Sequence, residues 1–401
     1  MTADPVPAGP EPAAALCDFD VPDAELRAAG SVKWTYQPPD VLPAWVAEMD
    51  CRPCPPVLDA VRAAVDRGMF GYPALPRHTD LPEATAAFLR RRFGWAVDPA
   101  RVLPTGDVMA GVRLVLETLC ADAPVVVPTP TYPPFLDVVP LAGRQVVQVP
   151  CVVDGAGRPV LDLDAVDAAF AAGARTVLLA APHNPLGRAF TPAELAGLRD
   201  VVTRYEGGRV LSDEIHAPLA LPGAVHTPYA AVEGTADHVT TIVAASKAWN
   251  IPGLKCAQVV AGNAADLAAL TGVAHVANHG LSPLGVVATV AAYTEGEPWL
   301  DSLMAHLGAQ RDLFGDLLAA HLPDARWTPM EATYLAWVDA RAYGLPDPAA
   351  AALRDGKVCV NPGRDFGDGY TGYVRVNLAT SAERLTEVVR RLSKAWPART
   401  V

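Results

Sequence analysis

The sequence predicts an α/β fold with a large domain on a mainly parallel sheet, joined to a smaller α+β domain. Three observations lead there. Strand-like apolar runs alternate with helical patterns through the middle of the chain, the signature of a parallel sheet covered by helices. From about residue 295 the alternation gives way to one long helical stretch, separated short apolar runs and a terminal helix. The 401 residues, at roughly 150 per domain, leave room for two or three packed units.

In chain order, residues 1 to 16 are Ala/Pro-rich with few bulky apolar side chains and read as a loose tail. Apolar runs suited to buried strands lie at 124–127, 145–149, 176–181, 209–211 and 240–245, with helical patterns at 108–119, 163–172 and 191–205 between them. Thr191-Pro192-Ala193-Glu194 is a helix start, with Thr at the N-cap, Pro at the first helical position and Glu at the third. Beyond 295 come a helical stretch at 298–317, strand runs at 333–338, 358–360 and 373–378, and a helix at 382–396. There is no low-complexity block or fixed-period repeat.

Composition narrows the partners. Hydrophobic residues make up 51% and charged residues 19%, which excludes a disordered or coiled-coil chain. Lys plus Arg number 32 against 44 Asp plus Glu, a net charge of −12, which argues against nucleic acid or an anionic membrane as main partner. No continuous apolar window is long enough for a membrane span, and no secretory signal pattern opens the chain. The odd, scattered set of seven cysteines reads as reduced thiols in a cytoplasmic protein. Cys51-Arg-Pro-Cys54 is crowded by prolines and lacks a second ligand pair, which disfavours both a redox couple and a zinc site. Five lysines are present, and each invites a question: Lys33, Lys247, Lys255, Lys357 and Lys394.

In open α/β sheets ligands collect at the carboxyl ends of the strands. Three loci follow strand runs here: Pro182-His183-Asn184-Pro185-Leu186-Gly187-Arg188, then Ser212-Asp213-Glu214-Ile215-His216, then Ser246-Lys247-Ala248-Trp249-Asn250. A lysine ending an apolar strand is desolvated, so its amine stays neutral and can condense with an aldehyde cofactor. An acid opposite a pyridine nitrogen keeps that nitrogen protonated and makes the ring an electron sink.

At these residues the chain resembles the fold-type I pyridoxal-phosphate enzymes of the class I/II aminotransferase group, with the aspartate aminotransferase fold. More narrowly it resembles the cystathionine β-lyase branch of MalY and PatB proteins. Further markers are Trp45-Val46-Ala47-Glu48-Met49-Asp50, Phe70-Gly71-Tyr72, Thr129-Pro130-Thr131-Tyr132-Pro133-Pro134-Phe135 and Val374-Arg375-Val376-Asn377-Leu378. The resemblance implies pyridoxal 5′-phosphate as cofactor and a small-molecule amino acid as substrate. It implies residues 17–60 as the N-terminal part of the small domain, 61–290 as the large cofactor-binding domain and 291–401 as the C-terminal small domain. By the same resemblance Lys247 is the Schiff-base lysine and proton shuttle, Asp213 the acid under the pyridine nitrogen, and Asn184 and His216 the partners of the ring hydroxyl. Tyr132 stacks on the ring and also borders the substrate; Ser246 and Lys255 contact the phosphate. The turn of Gly106, Asp107, Val108 and Met109 offers backbone N–H groups to that phosphate. Tyr72 reaches a neighbouring subunit's site, which implies a homodimer with shared active sites. Arg375 grips the substrate carboxylate, with Ala47 beside it. No metal is implied.

Several positions depart from the family pattern: Asp107, Leu186, Trp249 and Cys51. Asp107 is expected to turn aside and cap its helix. Lys33, Lys357 and Lys394 are expected to be solvated, Tyr334 and Trp337 to be small-domain core, and Arg188 to sit in an ion pair. The activity implied is α,β-elimination on an L-cysteine S-conjugate, giving thiol, pyruvate and ammonia. An aminotransferase on the same residues stands beside it. So does an antibiotic-biosynthesis enzyme acting on an S-glycosyl cysteine by decarboxylation-coupled oxidative deamination, and a regulator that keeps the fold.

Overall fold

The computed structural model describes residues 16–277 and 280–397. The expected tail lies outside them except for Leu16, which is exposed.

The central sheet has seven strands: Val102–Thr105 (β1), Val125–Thr129 (β2), Val146–Pro150 (β3), Thr176–Ala180 (β4), Arg209–Asp213 (β5), Val239–Val243 (β6) and Ala257–Ala261 (β7). Their order is β1-β7-β6-β5-β4-β2-β3. β3, β2, β4, β5 and β6 are mutually parallel, and β7 is antiparallel to both neighbours. Strands β1 and β7 escape the sequence reading. β1 is four residues long with Pro104 inside it, and β7 is a short run whose polar Gln258 is buried in the sheet.

Alternate side chains of the parallel strands feed two different cores, as the two-residue period of a strand requires. Leu178, Leu211 and Ile242 pack on one face with Val112 and Phe135, from helices Val108–Thr118 (α1) and Pro133–Leu141 (α2). Val177 and Val210 pack on the other with Phe170 and Leu195, from helices Leu163–Ala171 (α3) and Pro192–Val202 (α4). Each such Leu or Phe contributes about 1.5–3 kcal/mol by leaving water, so the sheet is held rigidly between its helices. Helix α4 begins with the expected capping box between Thr191 and Glu194.

A second, antiparallel sheet has the order β8-β9-β11-β10, from Arg326–Trp327 (β8), Leu335–Asp339 (β9), Asn361–Pro362 (β10) and Tyr373–Asn377 (β11). Helices Glu297–His321 (α5) and Ala382–Ala395 (α6) pack together beside it. On α6, Leu385, Val388, Val389 and Leu392 are buried at helical spacing, while Glu387 and Arg390 form an ion pair on the outer face.

The N-terminal segment belongs spatially with this C-terminal part. Leu42–Pro43 pairs in parallel with Val358–Cys359, and the Asp50 N–H donates to the Ala379 carbonyl at 3.0 Å. Here one expectation is overturned: Lys33 is not solvated but 1% exposed, with Nζ 2.8 Å from Asp50 Oδ1. Trp34 Nε1 donates to the same oxygen at 2.7 Å. A charge this deep is held only because its partner and the Glu48 carbonyl satisfy it. Lys357 and Lys394 are exposed, and Arg188 is buried between Glu194 and Glu331. Tyr334 and Trp337 are buried, Trp337 against Leu186 and Phe366. No helix among the described residues is long and apolar enough to cross a membrane.

Candidate active site

A cavity of about 170 Å³ opens at the carboxyl ends of β4, β5 and β6. It is lined by Ala47, Asp107, Val108, Met109, Tyr132, Asn184, Asp213, His216, Ser246, Lys247 and Lys255, among others. The structure thus brings together every sequence-predicted site residue except two. Arg375 stands behind Asn184 and bonds to it. Tyr72 is 96% exposed and does not line this chain's cavity.

Each side chain is placed by its strand end. Asp213 is the last residue of β5, in register with Ala180 and Ile242 of the flanking strands. The sequence reading places it just past the strand, but the run continues through Ser212 because both residues are buried in the ladder. Asn184 sits in a tight turn after β4, closed by the Gly187 N–H donating to the His183 carbonyl at 2.7 Å. Gly187 has φ +64°, and a Cβ there would meet Met330 at 2.7 Å, so only glycine fits. Lys247 follows β6 by four residues. Gly106 lies against the Gly280 backbone, where a Cβ would come within 2.9 Å.

Burial sets the electrostatics. Asp213 is pushed up to about 7 by burial, against the pull of the Ile215 N–H at 3.0 Å, so this acid calls for a cationic partner. Lys247 is lowered to about 8 by burial and then by the Arg375 charge; its Nζ donates to the Ala47 carbonyl at 3.0 Å. His216 falls to about 3 by burial, then by the Lys247 and Arg375 charges, and is therefore neutral. Its Nδ1 has no hydrogen-bond partner among the described residues. Tyr132 is raised by burial, and its ring packs edge-on to Phe135 at 5.7 Å.

Arg375, on β11, is 5% exposed and is lowered to about 10 by burial. Nη1 donates to Asn184 Oδ1 at 3.1 Å; Nη2 donates to Asn361 Oδ1 at 2.8 Å and the Trp45 carbonyl at 3.2 Å. Nε is buried without a partner among the described residues, so one side of the guanidinium fork still has a donor to give.

Asp107 caps α1 as expected, its Oδ1 accepting from the Ala110 N–H at 2.8 Å. Its other oxygen takes Lys255 Nζ at 2.8 Å. Burial pushes this carboxyl up, but the Lys255 and Ala110 bonds outweigh it and hold it below the usual range. The cation expected for a phosphate is therefore shared with a carboxylate.

These features fit pyridoxal phosphate, the cofactor implied by the resemblance. A lowered amine could condense with its aldehyde. A buried, raised acid could pair with its ring nitrogen, and an unpaired histidine nitrogen with Asn184 could meet ring oxygen. A helix N-terminus with Lys255 and Ser246 could seat its phosphate. No cluster of three or more His, Cys, Asp or Glu suited to a metal occurs among the described residues.

Sequence reasoning missed Asn250, Asn377 and Tyr334, which fasten residues 45–50 over Lys247. The first two lie inside quoted motifs, but nothing in spacing reveals that their amides read backbone.

Comparison with known proteins agrees. The chain is 38% identical over 371 residues to the cystathionine β-lyase of Corynebacterium glutamicum, covering 92% of this chain and 97% of that one. It superposes with a TM-score of 0.89 on a provisionally named PLP-dependent β-cystathionase of Corynebacterium diphtheriae, at 39% identity and covering 96% and 100% of the two chains. A PLP-bound C–S lyase from Staphylococcus hominis gives a TM-score of 0.87 at 27% identity, covering 94% and 98%. The family pattern described as aminotransferase class I and II matches residues 44–392, and the chain belongs to that family.

Proposed function

We propose that this chain is a pyridoxal-phosphate-dependent carbon–sulfur lyase acting on L-cysteine S-conjugates, with release of thiol, pyruvate and ammonia. The observation that carries the reading is the lowered Lys247 amine facing the same cavity as the raised Asp213 acid, in a chain whose relatives include a cystathionine β-lyase. When bound, the cofactor supplies an electrophilic aldehyde and a ring that stabilises negative charge at the substrate Cα.

The protein's own groups do the rest. Lys247 Nζ would take the Cα proton, because an amine lowered to about 8 keeps roughly one-tenth of its population neutral at pH 7, far more than an ordinary lysine. Asp213 holds positive charge on its partner, since an acid raised to about 7 gains most from ionising beside a cation. Asn184 and neutral His216 would orient the ring oxygen, Tyr132 would cover the ring, and Ser246, Lys255 and the backbone N–H groups of Val108 and Met109 would hold the phosphate. Arg375 takes the substrate carboxylate through the donor edge that includes Nε, beside Ala47. Val108, Pro182 and Ile215 in the cavity wall would limit water around the substrate Cα.

This reading includes a homodimer with shared sites, supported by the 96% exposure of Tyr72 and the exposure of neighbouring Phe70. It includes a division at residues 60 and 290 between small, large and small domain parts, supported by the two separate sheets. It also includes a reducing, cytoplasmic setting, supported by seven free cysteines, six of them buried.

Purified protein supplied with L-cystathionine or S-ethyl-L-cysteine should release pyruvate and free thiol in equal amounts. Release of neither would overturn the reading. Pyridoxamine phosphate without thiol would make it an aminotransferase, and carbon dioxide release with the C–S bond intact an oxidative decarboxylase.

A further inference from the structure

Residues 45–50 cross over Lys247 as an irregular strap. The Glu48 N–H donates to the Val46 carbonyl at 2.8 Å, a three-residue turn centred on Ala47. On the inner side of this turn Asn377 Nδ2 donates to both the Val46 and Glu48 carbonyls at 2.7 Å. Its Oδ1 is held in turn by the Ala379 N–H at 2.7 Å, so the amide cannot rotate away. The Ala47 carbonyl is the one left to face the cavity, where it accepts from Lys247 Nζ at 3.0 Å and Tyr334 Oη at 2.9 Å.

The far end of the strap is tied to the loop that carries the lysine. Asn250, three residues after Lys247, takes the Met49 N–H on Oδ1 and gives Nδ2 to the Met49 carbonyl, each at 3.0 Å. It does so from φ +56°, a left-handed conformation that asparagine tolerates better than most residues. Asn377 lies two residues after Arg375 on β11, and Arg375 itself bonds to the Trp45 carbonyl. The strap is thus fastened both to the loop of the reacting amine and to the strand of the carboxylate-binding arginine.

We propose that the turn at Ala47 is a built cradle for the Lys247 amine, and that Asn250 and Asn377 are positioning residues that hold its carbonyl there. A carbonyl accepts a hydrogen bond from an amine or an ammonium but cannot take the proton at neutral pH. It therefore aims Nζ without competing with it as a base. The bond to the carbonyl favours the ammonium, while the burial around it disfavours that charge, so the strap sets the balance between the two forms as well as the direction of Nζ. The inference rests on Lys247 being the reacting amine, and deepens that reading by naming what aims it.

The test separates the two. Competitive acylation of the cofactor-free protein with acetic anhydride across pH, read by peptide mass spectrometry, reports the Lys247 midpoint without any turnover. Asn250→Gly keeps the left-handed backbone and removes both bonds to Met49; Asn377→Ala removes both bonds to the turn. In each variant the Lys247 midpoint should move by at least about half a pH unit, downward where loss of the Ala47 acceptor dominates and upward where water reaches the amine, while that of Lys255 in the same digest stays. In the loaded enzyme kcat should fall at least tenfold with KM within threefold, and the isotope effect from Cα-deuterated S-ethylcysteine should increase. An unchanged Lys247 midpoint in either folded variant would overturn the cradle, and either variant alone suffices if the other does not fold. Failure of the wild type to release thiol would count against the lyase reading and leave the labelling result standing.

Discussion

Replacing Arg375 by lysine keeps a positive charge and removes the planar fork. The guanidinium is 5% exposed, and Nη1 and Nη2 are committed to Asn184, Asn361 and the Trp45 carbonyl. Three of its five N–H groups are used by these partners, which leaves Nε–H and one N–H of Nη1 to receive a substrate carboxylate. A lysine offers a point charge and cannot reproduce the fixed donor directions of the guanidinium, so at least one charge-assisted bond is lost. Such a bond is worth about 1.5–3 kcal/mol, which at about 1.4 kcal/mol per decade is a roughly 10–150-fold fall in kcat/KM for S-ethyl-L-cysteine. The assay is pyruvate release, run beside inhibition by S-ethylcysteamine, which has the same sulfur substituent and no carboxylate. Inhibition by that amine should change less than threefold. If it weakens by the same factor as kcat/KM, Arg375 is only packing the site, and if kcat/KM is unchanged the carboxylate binds elsewhere.

Other outcomes follow from the burial of charge. Lys247 has a folded value of about 8, below its unfolded 10.5, so its contribution to stability is present above the unfolded value and is lost as pH falls through about 8. Lys247→Met should therefore make the cofactor-free protein more resistant to urea at pH 7, by up to roughly 3 kcal/mol, with the gain vanishing toward pH 11. A less stable variant at pH 7 would contradict it. Asp213 has a folded value of about 7, above its unfolded value, so its contribution is full below the unfolded value and is lost as pH rises through about 7. Asp213→Asn should flatten the pH dependence of the urea midpoint between about pH 4 and 7; an unaltered slope would refute the burial argument. Lys33→Met should cost up to about 3 kcal/mol, because it leaves buried Asp50 with only the more distant Arg384, 3.9 Å from its other oxygen, and Lys33→Met/Asp50→Leu should recover part of that loss in the same urea titration. Asp107→Asn keeps a helix cap but frees the exposed Lys255, so absorbance titration should show pyridoxal phosphate binding tighter by up to about fivefold. Weaker binding would mean that Asp107 positions Lys255 instead of competing for it.

The contrast between legible and hidden features follows particular residues. Local pattern was enough for the parallel strands, since β2, β4 and β6 are buried on both faces and are built mostly of apolar and β-branched residues. It was enough for the α4 cap, whose Thr191 and Glu194 act within one helical turn. It missed β1 and β7, whose short stretches carry Pro104 and Gln258 and owe their pairing to neighbours distant in sequence. It misjudged Lys33, because composition cannot show that Asp50 and the Glu48 carbonyl wait for its amine in the interior.

The sequence by itself determined the α/β class and the candidate residues that cluster at the strand ends. Those depend on period, residue type and order, which a chain carries wherever it is folded. The tertiary structure decided how those groups are tuned and aimed. It lowered Lys247 and raised Asp213 by withdrawing water from both, paired Lys255 with Asp107, and laid the Ala47 turn over the amine with Asn250 and Asn377. Desolvation and hydrogen bonding act between atoms within a few ångströms, and residues 200 and 331 positions apart come within that range only in the folded chain.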